Sequence, residues 1–92
     1  MSNDKKVTKE MLDDLFLLIS SISTPEDCAI LFEDLCTNKE VEQMAQRVRA
    51  AKLLLDGATY NKVIEETDIS SATLSRVSRC VQYGKGYSKL LK

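Results

Sequence analysis

Five consecutive apolar residues, Leu15 to Ile19, lie inside a segment that otherwise favours an α-helix. Thr8 can cap such a helix, which we expect to run to about Ile22. Successive helical residues are ~100° apart, so the run points in every direction around the axis. A helix that is apolar all round is buried on more than one side. A chain of 92 residues has little else to surround it with. We therefore expect a second copy to pack against it, the alternative being a central helix in a monomeric bundle.

The remainder of the chain also favours helices. It has three glycines and one proline, and no alternating apolar pattern long enough for a sheet. Thr24 and Pro25 form a capping and first-turn pair for a second helix. Thr37 and Glu40 form a T-x-x-E capping box for a third helix, which Gly57 should stop. We expect an all-α helical bundle.

The third helix should bury one face and expose the other. The apolar positions expected on its inner face are Val41, Met44, Ala45, Val48 and Leu55, supported by Ala51. The polar positions expected largely on its outer sides are Gln43, Gln46, Arg47, Arg49 and Lys52.

A helix-turn-helix unit is predicted next. Thr59 can cap a short helix from Tyr60 to about Glu66, a turn follows over residues 67–70, and a fifth helix runs from about Ser71 to Tyr83. The apolar residues that would hold the two helices at a steep angle are Val63, Ile69, Leu74 and Val77. Asp68 stands where glycine is common in such turns, and aspartate tolerates left-handed backbone better than most residues. Ser88 to Leu91 can form one more turn.

The outward face of the fifth helix is small, hydroxylated and basic. On a helical wheel, Leu74, Val77 and Val81 face the core, whereas Ala72, Ser75, Arg76 and Arg79 point away from it, with Ser71 on a flank. Small side chains let a helix approach a DNA major groove, hydroxyls bond base edges, and arginine reaches guanine or phosphate. Ser71, Ala72 and Ser75 are the base-reading candidates because they lie near the N-terminus of the helix. Further candidates for contact with phosphate are Asn61, Lys62 and Thr73.

Charge along the chain supports a polyanionic partner. Residues 69–92 contain Arg76, Arg79 and three lysines and no acidic residue, although the whole chain has a net charge of −1. Lys85, Lys89 and Lys92 would add long-range attraction that depends on salt. A solvated basic tail is the alternative. Tyr83 and Tyr87 either stack on nucleic acid or cover the core.

Several classes of function lack their usual residues. There is no histidine, no C-x-x-C spacing, no glycine-rich phosphate loop and no paired-carboxylate signature, so we expect neither an enzyme nor a bound metal or cofactor. Cys28, Cys36 and Cys80 are expected as small buried residues. The sequence shows no signal peptide and no apolar run that could span a bilayer, so we expect a cytoplasmic protein that does not enter the membrane.

Four short motifs resemble the Trp repressor superfamily. They are Thr37 with Glu40, the R-V-R of residues 47–49, the L-L-x-G of residues 54–57, and the A-T-L-S-R of residues 72–76. The segment over residues 79–87, R-C-V-Q-Y-G-K-G-Y, is similar to the YerC/YecD branch of short Trp-repressor-like bacterial proteins. The resemblance implies an intertwined homodimer joined through its N-terminal helices, with two reading heads about one DNA turn apart.

The resemblance also implies a small-ligand site. In the founding member of the family, an indole lies between two arginines that correspond to Arg47 and Arg76, and Thr37 belongs to the same region. Val77 stands where that site has glycine, and overpacking of this kind costs about 1–3 kcal/mol. Asp34 and Cys36 fall at positions of its apolar wall. We expect that tryptophan is not the co-repressor, and that the arginines bind phosphate or another small anion, or pair with Asp34 and Asp56.

The sequence thus predicts a single domain over residues 1–92. Residues 8–57 would hold the dimerisation helices, 59–83 the helix-turn-helix and 84–92 a C-terminal segment. The expected function is a homodimeric transcriptional regulator, acting as a repressor on a double-stranded DNA operator and open to an unknown small-molecule effector. The alternative is a helix-turn-helix module that binds a protein of the transcription machinery, which the near-neutral net charge favours.

Overall fold

A computed structural model of the chain describes residues 6–91. Six helices and no strand occur over this range, which confirms the all-α class. The helices are α1 (Lys9–Ser20), α2 (Pro25–Leu35), α3 (Asn38–Leu55), α4 (Tyr60–Thr67), α5 (Ser71–Tyr83) and α6 (Gly86–Leu90). Lys92, to which long-range attraction was assigned, lies outside the described residues.

The described residues divide into two compact units, 6–37 and 38–91. The first unit holds α1 and α2, and both begin at the predicted caps. The Thr8 hydroxyl accepts a bond of 3.1 Å from the Met11 N–H, and the Thr24 hydroxyl accepts one of 3.1 Å from the Asp27 N–H. Pro25 occupies the first helical position, where a backbone N–H has no partner within the helix, so its lack of an N–H costs no hydrogen bond.

The first helix is two residues shorter than expected. It ends at Ser20 because the next backbone N–H groups turn to nearer carbonyls, Ser21 N–H to Leu18 and Ile22 N–H to Ile19. The hydroxyls of Ser20 and Ser21 also donate to carbonyls three residues back, at 3.0 and 2.7 Å. Such local bonds offer the backbone an alternative to further helix.

No residue of α1 is buried within the chain. Four consecutive large apolar residues, Phe16 to Ile19, are 60%, 69%, 48% and 37% exposed. The helix is therefore apolar in all directions, as its sequence indicates, and one chain leaves that surface open to solvent.

The core lies in the second unit. Its buried residues are Ala50, Ala51, Val63, Ile69, Leu74 and Val77. They come from α3, α4, the α4–α5 turn and α5, so the core joins the helix-turn-helix to the C-terminal half of α3. Leu74 is fully buried, which contributes about 1.5–3 kcal/mol to folding.

The inner face of α3 differs from the expectation. Ala45 is exposed and Val48 is 42% exposed, whereas Ala50, which was not expected inside, is fully buried with Ala51. Val48 and Ala50 are ~200° apart on the helix, so they cannot face the same neighbour. The fully buried residues of α3 are these two alanines, which allow two helices to approach closely and which a count of large apolar side chains misses.

Gly57 ends α3 in the way its sequence predicts. Its φ is +91°, the left-handed conformation. The Ala58 N–H donates to the Leu53 carbonyl and the Gly57 N–H donates to the Leu54 carbonyl, both at 3.0 Å. This pair of bonds is the Schellman motif, which satisfies carbonyls at the end of the helix.

The C-terminal turn covers the core with one of its two tyrosines. Helix α6 spans Gly86–Leu90, two residues earlier than expected at its start. Tyr87 and Leu91 pack against the core, which confirms the covering role for Tyr87. That role is wrong for Tyr83, which is 79% exposed. The expected burial is also wrong for Cys80, which is exposed because it lies ~120° around α5 from Leu74.

The left-handed residues give a prediction about stability. Gly57→Ala should lower the free energy of unfolding by about 1 kcal/mol, because an L-residue at positive φ is strained by roughly 1–2 kcal/mol and only part of that is offset in the unfolded chain. Space is not the cause, since no atom lies within 4 Å of an added Cβ. Urea unfolding at fixed protein concentration measures the change.

Gly86→Ala is the matched control, because an added Cβ there is also free of contacts and the backbone φ is ordinary. It should leave the stability unchanged or raise it slightly. Asp68→Gly should raise the free energy of unfolding by a few tenths of a kcal/mol, since Asp68 has a φ of +59°. Equal stability of Gly57→Ala and the unmodified chain would contradict the assignment of strain.

Candidate nucleic-acid interface

Helices α4 and α5 meet as a helix-turn-helix anchored by the four residues the sequence predicts. Val63 and Leu74 are 0% exposed, Val77 is 2% and Ile69 is 4%. One comes from α4, one from the turn and two from α5, and all pack with Ala50 and Ala51 of α3. Because these core contacts use one side of α5, the opposite side of the helix faces solvent.

Hydrogen bonds fix the turn between the two helices. The Thr67 hydroxyl donates to the Val63 carbonyl at 2.8 Å and accepts from the Ile69 N–H at 3.2 Å. Asp68 adopts the left-handed conformation expected of it, and its N–H donates to the Ile64 carbonyl at 2.9 Å. The turn is therefore tied to α4 on one side and to Ile69, a core residue, on the other.

A serine cap starts the fifth helix. The Ser70 hydroxyl accepts a bond of 3.2 Å from the Thr73 N–H and donates one of 2.9 Å to the Thr73 hydroxyl. Thr73 is half-buried, and its hydroxyl already has this partner. Because the Thr73 hydroxyl accepts this bond, its own O–H stays available to donate to a phosphate, and the assigned phosphate contact stays a prediction. Serine is a preferred N-cap residue, and this role of Ser70 was not among the expectations from the sequence.

The outward side of α5 carries the predicted reading residues. Ser71, Ala72, Ser75, Arg76 and Arg79 are all exposed. The helix contains no acidic residue, so nothing on it opposes the two arginines. A helical face with short side chains at its N-terminal end and arginines further along is suited to a groove lined by phosphates.

The edge of α4 contributes a smaller part of this surface. Asn61 and Lys62 are exposed in its first turn, where the Lys62 N–H donates to the Thr59 cap at 3.2 Å. The Lys62 ammonium lies 3.3 Å from a carboxylate oxygen of Glu66. Exposed pairs of this kind contribute about 0–1 kcal/mol, so the ammonium can exchange Glu66 for a phosphate at little cost.

An open cleft of about 930 Å³ lies beside this face. It is bounded by α3, by the α4–α5 turn and by the first half of α5, and both Arg47 and Arg76 line it. Other charged residues of its wall are Lys39, Glu42, Arg49, Glu66 and Asp68. Neither Arg47 nor Arg76 forms an ion pair with any residue in the described part of the chain. The expected pairing with Asp56 is therefore absent over residues 38–91.

Four other residues were connected with a ligand site. Thr37 immediately precedes α3 and belongs to the first unit. Val77 belongs to the core rather than to the wall. The expectation that its size excludes an indole stays a prediction. Asp34 is exposed on α2, and Cys36 is half-buried at the end of that helix.

Gln46 of α3 is a functional candidate that was not expected from the sequence. Gln46 was expected on the outer side of α3, but it is half-buried and its side-chain Nε2 donates to the Thr67 carbonyl at 3.0 Å. The two residues are 21 positions apart. Helical periodicity marks Gln46 only as polar, so no local signal could have found its partner.

Two further kinds of site were sought over residues 6–91. No helix in that range combines the length and the apolar character needed to cross a membrane. The same range holds no group of three or more acidic or cysteine side chains placed to bind one metal ion.

Comparison with known proteins gives concordant matches. The family model for Trp repressor protein matches residues 10–92. The uncharacterized protein YerC of Bacillus subtilis (strain 168) is 48% identical over 84 residues, which cover 91% of this chain and 80% of YerC.

Solved structures agree with the sequence matches. The crystal structure of a candidate Trp repressor from Staphylococcus aureus superimposes with a TM-score of 0.86 at 38% identity, over 91% of this chain and 85% of that one. A TrpR-like protein from Eubacterium eligens gives a TM-score of 0.84 at 36% identity, over 91% and 87% of the two chains. The chain therefore belongs to the Trp repressor family of helix-turn-helix DNA-binding regulators.

Proposed function

We propose that this protein is a sequence-specific DNA-binding regulator of transcription, a repressor that reads the major groove with α5. The observation that carries the proposal is the division of α5 into two sides. Leu74 and Val77 are buried, whereas Ser71, Ala72, Ser75, Arg76 and Arg79 are exposed on a helix without an acidic residue. The family supports a DNA partner and a regulatory rather than catalytic role.

The exposed residues have different parts in this proposal. Ser71, Ala72 and Ser75 face base edges at the N-terminal end of α5, where groove-binding helices enter most deeply. Arg76 and Arg79 reach phosphate or guanine, and Asn61 and Lys62 contact the backbone from the edge of α4. Lys85 and Lys89 raise the rate and affinity of binding at low salt without adding sequence preference.

The regulator acts as a homodimer. The exposed apolar surface of α1 supports this, because a free helix with Phe16 60% and Leu17 69% exposed is covered most simply by the same helix of a second chain. Two copies place two reading helices against successive major grooves, which matches a roughly palindromic operator. A dimer bound to the operator occludes it and thereby represses transcription. This function places the protein in the cytoplasm, where bacterial DNA is found.

A small-molecule effector can bind in the cleft beside α5. Arg47 and Arg76 line that cleft without ion-pair partners among residues 6–91, so an anion would gain two charge-assisted contacts. Binding of the anion would act directly on the reading helix, because Arg76 lines the cleft and is also a residue of α5. We propose a small anion rather than tryptophan as the effector.

Arg79 gives a test of DNA binding. A duplex is first selected from a random library by the unmodified protein. Arg79→Ala should then weaken binding to that duplex and to an unrelated one by similar factors. It should also lower the slope of log affinity against log salt by about one, because a single phosphate contact is lost.

Lys52→Ala is the matched control for Arg79→Ala. Lys52 is basic and exposed, but it lies on α3. It should change neither affinity nor slope appreciably. Unchanged DNA binding in Arg79→Ala, together with loss of a protein partner from the transcription machinery, would favour the protein-interaction function instead.

Ser75 gives a test of base reading. Ser75→Ala should relax the preference at one position of the selected site by about 1–3 kcal/mol and leave the other positions unchanged. Repeating the selection with the variant, at one salt concentration, measures this. Ser23→Ala, an exposed serine between α1 and α2, should return the unmodified site. A selection from random DNA that yields no preferred sequence would show that α5 does not read bases.

Leu17 gives a test of the dimer. Leu17→Glu places a charge at the most exposed residue of the apolar run and should convert the dimer to a monomer, because a buried unpaired carboxylate is costly. Sedimentation at micromolar concentration reads the mass. Lys9→Glu is the matched control. It changes the charge of α1 more than Leu17→Glu does, but at a polar position, and we expect this variant to remain a dimer. A monomeric mass for the unmodified protein would refute the dimer.

A further inference from the structure

We propose that Gln46 of α3 is a positioning residue that holds the helix-turn-helix turn in the geometry needed to discriminate between DNA sequences. The inference rests on the proposed function. Gln46 touches no DNA in that function and acts through the backbone of Thr67, the last residue of α4.

The bond between these residues joins two elements that are otherwise held by apolar packing. The buried core that α3 shares with α4 and α5 consists of apolar residues, which are Ala50, Ala51, Val63, Leu74 and Val77. Apolar packing is non-directional and permits small rotations of one helix against another. A hydrogen bond from Gln46 Nε2 to the Thr67 carbonyl, at 3.0 Å, restricts such rotation because it depends on distance and angle.

The Thr67 carbonyl is well placed to transmit this restraint. The hydroxyl of the same residue accepts from the Ile69 N–H at 3.2 Å, and Ile69 is a core residue that is 4% exposed. Ser70, the next residue, caps α5 through the Thr73 N–H. Only Asp68 and Ile69 therefore lie between the residue that Gln46 bonds and the cap of the reading helix. A shift of the turn would move Ser71 and Ser75 together relative to the bases.

Gln46→Met tests the proposal because methionine keeps the length and lacks the donor. Gln43→Met is the matched control: Gln43 lies one turn earlier on α3, is exposed, and its side chain forms no hydrogen bond within the described part of the chain. Urea unfolding establishes that both variants are folded at the temperature of the binding measurements. Since Thr67 is half-buried, water can reach its carbonyl, and we expect Gln46→Met to remain folded.

The first measurement uses the free protein. Gln46→Met should increase the rate of amide hydrogen exchange at Ile69 and Asp68 about fivefold or more, whereas Gln43→Met should not. An unchanged rate overturns the proposal, because Gln46 would then not hold the turn. Equal acceleration throughout the core overturns it as well, because the effect would be a general loss of stability.

The second measurement compares the selected duplex with an unrelated one. Gln46→Met should weaken binding to the selected duplex about three- to tenfold, with less than a twofold change on the unrelated duplex and an unchanged salt slope, because no charge is removed. Equal weakening on both duplexes, or none on either, overturns the positioning role. If the unmodified protein does not discriminate between the duplexes, the proposed function fails, and the positioning role in reading DNA fails with it. The exchange rates then still decide whether Gln46 holds the turn.

Discussion

Close contact between the small residues of α3 and the apolar side of α5 underlies the second unit of this protein. Ala50 and Ala51 have no bulk to hold α5 away, so Leu74 and Val77 are 0% and 2% exposed. That contact determines which side of α5 turns outward, and it brings the α4–α5 turn over α3. The hydroxylated and basic face, the cleft beside it and the Gln46 bond to Thr67 all follow from this one packing arrangement.

The helices were predictable because their ends are encoded locally. Thr8, Thr24 and Thr59 accept from the expected backbone N–H groups, and Gly57 and Asp68 adopt the left-handed conformation expected at their positions. The bounds of α5 were also predictable, since its core and outer residues separate cleanly on a wheel. The family was recognisable from short motifs in α3 and α5, and the matches with known proteins confirm it.

What sequence could not supply were contacts between distant residues. The inner face of α3 was placed on Val48 instead of Ala50, because alanine weighs little in an apolar pattern yet allows the closest approach. Gln46 was expected at the surface because its hydrogen-bond partner, a backbone carbonyl, is 21 residues away in the sequence. Val77 lies in the core and is not part of the cleft wall, so its expected effect on an indole stays a prediction.

The separation of the two sides of α5 has an evolutionary consequence. Exposed positions such as Ser71, Ala72 and Ser75 contribute little to packing, and substitutions at positions of this kind usually change stability by less than about 0.5 kcal/mol. The residues that the proposed function assigns to base reading are therefore free to mutate without loss of the fold, while Leu74 and Val77 are not. After gene duplication, such a chain could acquire a new binding site through single substitutions on one surface, and copies with diverged preferences could coexist in one genome.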